Sequence, residues 1–268
     1  MNIFEITDFG DTALDIYARK NERELMNGDK PGQGIFIAES PKVINRALDA
    51  GYEPVSALVE DKVIEKEKQT LSRLGDIPVY VAGIEVLKEL TGYMLTSGML
   101  CAMRRKNEYT LDSIMNGSKR IAVLERIMNP TNAGAIFRNA AALNIDAVIL
   151  TEDCTDPLYR RCIRVSMGTV FQIPWVIAPG DIVLTETLKN KGFTTCAFAL
   201  RNSNIDINDP VLKSSGKIAL FLGSEGDGLS EKTIEQCDYT VKIPMRDGVD
   251  SLNVAAASAV AFWAIGER

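Results

Sequence analysis

Three segments in the C-terminal half carry residue types and spacings from which a polar site could be made. The first is Asn129-Pro130-Thr131-Asn132-Ala133-Gly134-Ala135-Ile136-Phe137-Arg138-Asn139-Ala140. It reads as a turn entering a helix, with Asn132 as N-cap and Ala133, Ile136, Phe137 and Ala140 as the buried stripe. Packing accounts for that much and leaves Gly134 and Arg138, four residues apart on one helical face. A glycine costs about 1 kcal/mol inside a helix, so the pair serves either close packing or a group lying against bare backbone beneath a guanidinium. The second segment, Phe221 to Ser230, sets three glycines between an apolar run and a helix. It is neither a P-loop nor a dinucleotide fingerprint, and the carboxylates of Glu225 and Asp227 would repel a phosphate, which disfavours a triphosphate ligand. Glycines there would let main-chain groups approach an adenosine-like ligand, with Glu225 facing a cationic or hydroxyl partner; a tight turn with solvated acids is the alternative, but so much glycine in one connection favours function. The third, Ile243 to Val254, leads into the small-residue run Ala255 to Trp263. Ser251 reads as the N-cap, Ser251 and Asn253 are polar beside an apolar helix, and that helix suits either packing within the chain or a subunit interface.

Much chemistry is excluded at once. The 268 residues contain no histidine, which removes His-based triads, His-ligated zinc and imidazole acid/base work. The five cysteines are scattered without a C-x-x-C pair, so the expectation is reduced thiols, no metal and a cytoplasmic setting. A net charge of −6 argues against indiscriminate coating of nucleic acid. Local basic faces remain at Arg19, Lys20 and Arg23, at Arg104 to Lys106, at Lys119 and Arg120, and at Arg160, Arg161 and Arg164, each also explained by ordinary charge scatter. No apolar run reaches the roughly 18 residues that span a bilayer, and no basic-then-apolar leader opens the chain, so a soluble, non-secreted protein is expected.

The elements that must position these segments alternate between strand and helix. From Gly34 to Ala82, apolar runs at Gly34 to Ala38, Pro54 to Val59 and Pro78 to Val81 are separated by helical patterns at Pro41 to Ala50 and Asp61 to Leu74, after an amphipathic helix at Thr12 to Met26. The rhythm breaks between Ser97 and Lys119, and a boundary there gives domains 1–108 and 109–268. In the second, strands are predicted at Ile121 to Glu125, Ala147 to Leu150, Phe193 to Ala199, Ile218 to Leu222 and Thr240 to Ile243, and helices at Asn132 to Leu143, Pro157 to Ser166, Asp181 to Lys191, Ser230 to Cys237 and Leu252 to Gly266. Continuous apolar strands suit a parallel sheet, whose ligands sit beyond the strands' carboxyl ends, where all three segments fall.

In this order and spacing the three segments resemble the three motifs of the TrmH-type (SpoU) branch of the SPOUT superfamily of RNA methyltransferases, over Ile121 to Arg268. Arg164-Val165-Ser166-Met167-Gly168 is similar to an intermediate block of that family, and Gly34 to about Ala102 is more loosely similar to the ribosomal-protein-like RNA-binding domain that often precedes it. Asn129-Pro130 stands where many relatives have Asp-Pro. The resemblance implies an α/β fold with a C-terminal parallel-sheet domain tied in a trefoil knot, a rare topology that periodicity does not reveal. It also implies an obligate homodimer, S-adenosylmethionine as cofactor, no metal, and methylation of a ribose 2′-hydroxyl in rRNA or tRNA. Backbone contacts to the cofactor carry over to Leu200, Gly223, Ile243 and Leu252, and reacting-site roles to Asn132, Arg138, Glu225, Ser251 and Asn253. An arginine is a poor base, so Arg138 is expected to clamp the target phosphate and polarise the hydroxyl while the proton leaves through a phosphate oxygen or a neighbouring polar group. The basic clusters become the expected RNA contacts, Arg160 and Arg164 foremost. A different reading on the same fold is a catalytically silent RNA-binding assembly factor; an ordinary nucleotide-dependent doubly wound enzyme lacks its phosphate fingerprint here.

Overall fold

The computed structural model describes residues 2–28, 34–91, 98–106, 108–180, 182–201, 204–224, 226–246, 248 and 251–266. The chain forms two compact units, one of Met1–Asn107 with Leu158–Phe171, the other of Glu108–Pro157 with Gln172–Arg268.

In the first unit five strands, β1 (Asn2–Ile6), β2 (Ile35–Glu39), β3 (Pro54–Glu60), β4 (Pro78–Ala82) and β5 (Met99–Arg104), form a sheet in the order β1-β4-β3-β5-β2. β1, β4 and β3 are parallel, while β5 runs antiparallel to both β3 and β2. Leu14, Tyr17, Ile37, Leu58, Leu87 and Leu100 lie in one core cluster of this unit. The helix expected over Thr12 to Met26 is broken into a 3-10 turn and two short helices. Asn21 is the reason: its side chain accepts from the amides of Arg23 and Glu24 while Glu24 caps back, a capping box that starts a new helix at Glu22. The expected helix over Asp61 to Leu74 shrinks likewise to a 3-10 turn at Asp61–Val63 and a helix at Lys68–Arg73.

Leu158–Phe171, which the sequence assigns to the second domain, belongs to this first unit. Its helix Arg160–Val165 starts where Glu22 accepts from the Arg160 amide at 2.9 Å, and the Arg160 guanidinium lies 3.4 Å from the buried Glu39 carboxylate. Arg46 donates to the Met167 carbonyl at 2.6 Å. Phe171 completes an aromatic cluster, its ring centroid 5.4 Å from that of Phe36 and 5.2 Å from that of Tyr52. Arg160, expected with Arg164 to be a leading RNA contact, thus has both its amide and its guanidinium engaged within this unit.

The described residues of the second unit form seven strands: β6 (Arg120–Leu124), β7 (Ala147–Leu150), β8 (Trp175–Ile177), β9 (Thr194–Phe198), β10 (Ile205–Asp206), β11 (Ile218–Leu222) and β12 (Tyr239–Lys242). They are ordered β10-β12-β9-β11-β6-β7-β8, and every pairing is parallel. Ile121, Val123, Ile149, Phe221 and Val176 face one side, where Ile114, Met115, Leu188 and Ile234 pack. Alternation turns Trp175 to the other side, where its ring meets Phe137 of the helix Pro130–Ala142. That helix lies along the last one, Val254–Ile265. Asn139 donates to the Ala255 carbonyl at 2.8 Å and to the Ser258 hydroxyl at 3.0 Å, and a Cβ on Gly266 would come 2.3 Å from the Leu143 carbonyl oxygen. Among the described residues no helix is long and apolar enough to cross a membrane.

Candidate functional site

Four neighbouring strands, β12, β9, β11 and β6, send their carboxyl ends into the loops that hold the chemistry-bearing residues. After β6 the chain turns through Arg126, whose φ is 56°, and enters the helix Pro130–Ala142. Asn129 caps that helix, accepting from the Thr131 amide at 2.9 Å, with Pro130 in its first turn. Asn132, expected to be the cap, instead lies inside the first turn, and burial of its side chain follows. The last helix is similarly corrected: its N-cap is Asn253, which accepts from the Ala255 amide at 2.9 Å, and not Ser251, two residues earlier. Freed from capping, Asn132 accepts from the Asn253 side-chain amide at 3.3 Å, so the first and third segments meet at the N-termini of two adjacent helices.

The second segment folds back on itself. Gly228, at φ 68°, donates its amide to the Ser224 carbonyl at 3.1 Å, and the two residues form an isolated antiparallel bridge. A Cβ on Gly223 would lie 2.3 Å from the Gly228 carbonyl carbon and from the Leu229 nitrogen, so only glycine permits this approach. Two residues that the sequence reading left out hold the turn from the β6 side. Glu125 accepts from the Ser230 amide at 2.7 Å and from the Thr233 hydroxyl at 2.5 Å, and Arg126 donates to the Gly228 carbonyl at 3.1 Å. An acid-base pair closing an otherwise apolar strand was the available signal.

The model of the SpoU rRNA Methylase family matches residues 119–263. The chain belongs to that family. An uncharacterized tRNA/rRNA methyltransferase of Mycobacterium bovis is 34% identical over 264 residues, covering 98% of this chain and 91% of that protein. The 23S rRNA (guanosine-2′-O-)-methyltransferase RlmB of Photobacterium profundum is 29% identical over 219 residues, 79% of this chain and 88% of that one. The fold is shared with the AdoMet-bound rRNA methyltransferase of Sinorhizobium meliloti, at a TM-score of 0.80 and 23% identity, covering 98% and 97% of the two chains.

The remaining expected site residues of this SpoU methylase are spread around the same strand ends. Leu200 follows β9 and is 53% exposed; Leu252 and Ser251 are exposed just ahead of the last helix. Ile243 follows β12 and borders a cavity of about 700 Å³ with Pro244, Val260 and Trp263; none of the other expected site residues lines that cavity. Arg138 is exposed two turns into its helix and makes no ion pair or hydrogen bond among the described residues, whereas Gly134, on its face of the helix, is buried. Glu225 lies outside the described residues. Burial pushes the Cys101, Cys196 and Cys237 thiols up to about 12, which keeps them protonated and poor as nucleophiles. Among the described residues no group of three or more Cys, Asp or Glu side chains is arranged to hold a metal ion.

Proposed function

We propose that this RNA methyltransferase moves a methyl group from S-adenosylmethionine to a ribose 2′-hydroxyl of rRNA or tRNA, acting as a cytoplasmic homodimer. The observation that carries the reading is the Asn132–Asn253 hydrogen bond, which joins two of the three motifs at the carboxyl end of β6, beside the strand that feeds the glycine turn. The bound cofactor supplies an electrophilic methyl carbon on a sulfonium. The donor set fits such a ligand. Beside the turn built on Gly223, Asn204 donates to the Ala199 carbonyl at 3.2 Å, and its buried Oδ1 has no partner among the described residues, leaving an acceptor in the loop that contains Leu200. Main-chain groups of Leu200, Gly223, Ile243 and Leu252 would hold the cofactor.

The protein's own tasks are then alignment and removal of one proton. Arg138, exposed and uncommitted among the described residues, clamps a phosphate of the target nucleotide and polarises the hydroxyl. Asn132, Ser251 and Asn253 order polar groups around it, Glu225 is proposed to serve with them, and the proton leaves through a phosphate oxygen or one of these neighbours. The exposed Val260 and Trp263 on the last helix, 40% and 60% accessible, are apolar surface that a second copy would cover. β11 lies between β6 and β9, both of which precede it in the chain, an insertion that supports a chain threaded as a trefoil knot. The first unit contributes RNA affinity.

Incubation with methyl-labelled S-adenosylmethionine and total RNA, followed by mapping of methylated riboses, tests the proposal. Label at a ribose that disappears in Arg138→Ala is the expected result. Cofactor and RNA binding without transfer would identify a silent assembly factor and overturn it.

A further inference from the structure

The turn from Gly223 to Ser230 brings one of its own peptide groups, that between Gly228 and Leu229, against the Gly223 backbone. The Gly223 backbone leaves no room for even a methyl group against it, so a rotation of that peptide would collide with Gly223 or open the turn. The neighbouring Gly228 amide is fixed by Ser224. The Gly228 carbonyl is held by one described side chain, that of Arg126, through Nη2 at 3.1 Å.

Arg126 occupies its place at two costs. Its φ of 56° is a left-handed conformation that side chains with a Cβ disfavour, and its Nε is buried with no partner among the described residues. A residue retained only for packing would shed both costs by becoming glycine; the cost of an observed backbone outlier points to function. Its surroundings fix it firmly. The Arg126 amide donates to the Thr151 hydroxyl at 3.2 Å, and its guanidinium lies 3.7 Å from Glu125, whose two oxygens hold Ser230 and Thr233 at the far end of the same turn. Glu125 and Arg126 therefore brace the turn at two points from one rigid strand end.

We propose that Arg126 is a positioning residue for the cofactor turn: through the Gly228 carbonyl it fixes the Gly228–Leu229 peptide against Gly223 and Ser224, in the shape that receives the cofactor. The inference rests on the function proposed above. It makes an unusual demand, because replacing Arg126 by glycine relieves the backbone while removing the brace. Binding and stability should then move apart, which a merely structural role does not allow.

The test is calorimetric titration of the 268-residue chain with S-adenosylmethionine, beside thermal melts and an RNA-binding assay, for wild type, Arg126→Gly and Arg126→Lys. Arg126→Gly should raise the cofactor Kd at least tenfold with Tm unchanged or higher and RNA affinity within twofold. Arg126→Lys, which keeps a donor on a flexible stem, should recover part of the loss. Cofactor binding by Arg126→Gly within twofold of wild type overturns the proposal, as does a fall in Tm with parallel losses of both ligands. If wild type itself gives no heat with the cofactor, it is the functional reading that fails, and the proposal falls with it.

Discussion

Asn253 does two things with one side chain: Oδ1 caps the last helix and Nδ2 reaches Asn132. Asn253→Ala should cost about 1 to 2 kcal/mol in chemical denaturation, the usual loss for a removed cap, and should depress methyl transfer more than stability alone explains. Asn253→Ser keeps a capping oxygen but cannot reach Asn132, so it should restore stability without restoring rate. Gly223→Ala forces a methyl group into the Gly228–Leu229 peptide and should destabilise by about 1 to 3 kcal/mol through overpacking, with cofactor binding lost in the same calorimetric titration. At this scale the sequence was partly readable. The need for glycine at 223 follows from the density of glycines after an apolar run. The capping residues do not, because Asn129, Asn132, Ser251 and Asn253 are all competent caps, and which of them caps depends on where tertiary packing lets each helix begin. Glu125 and Arg126 stand out as an acid-base pair at the end of an apolar strand, but what they hold does not, for a related reason: their partners lie some hundred residues away in the chain.

Elements were legible in proportion to how fully they are buried. β7 and β11 begin and end where their apolar runs do, because each is covered on both faces by its own unit. β1, four of whose five residues are exposed, has no pattern to read and forms only by pairing with β4. β8 and β10, of three and two residues, are too short to rise above their loops. The end of the last helix is fastened by Arg120, 5% exposed, whose Nε donates to the Ile265 carbonyl at 2.9 Å and whose Nη1 donates to the Gly216 carbonyl at 3.1 Å. Arg120→Met should cost about 1 to 3 kcal/mol by stranding the carbonyl of the buried Ile265, measured as a lower urea midpoint. The helix Glu231–Gln236 is tied to β9 by Asp238. Burial raises its pKa, but the Lys189 ammonium and the Thr195 amide and hydroxyl outweigh that and hold it below the ordinary value. A depressed carboxyl pKa stabilises the fold above the unfolded value of about 4 and loses that contribution as pH falls through the folded value. Asp238→Asn should therefore flatten the acid limb of the stability profile and leave stability differences between pH 6 and 8 unchanged.

For the whole molecule, alternation of strand and helix was enough to read an α/β chain with a parallel sheet in its second half, and the family's three motifs were found in their order. What could not be read was the ownership of Leu158–Phe171, since hydrophobic periodicity says that a helix is buried without saying against what. Phe171→Ala should cost about 3 to 5 kcal/mol, and hydrogen exchange should show the loss in strands β2 and β3 before it appears in β6 and β11.

A chain made from its N-terminus emerges in order, and domains generally fold as units while synthesis proceeds. Here the first unit is interrupted by fifty residues of the second, so its aromatic cluster stays open until Phe171 has left the ribosome, by which time β6 and β7 are already available. The nascent protein must keep a partly built sheet soluble through that interval, and a translational pause placed just before codon 158 should lengthen the exposure and lower the soluble yield.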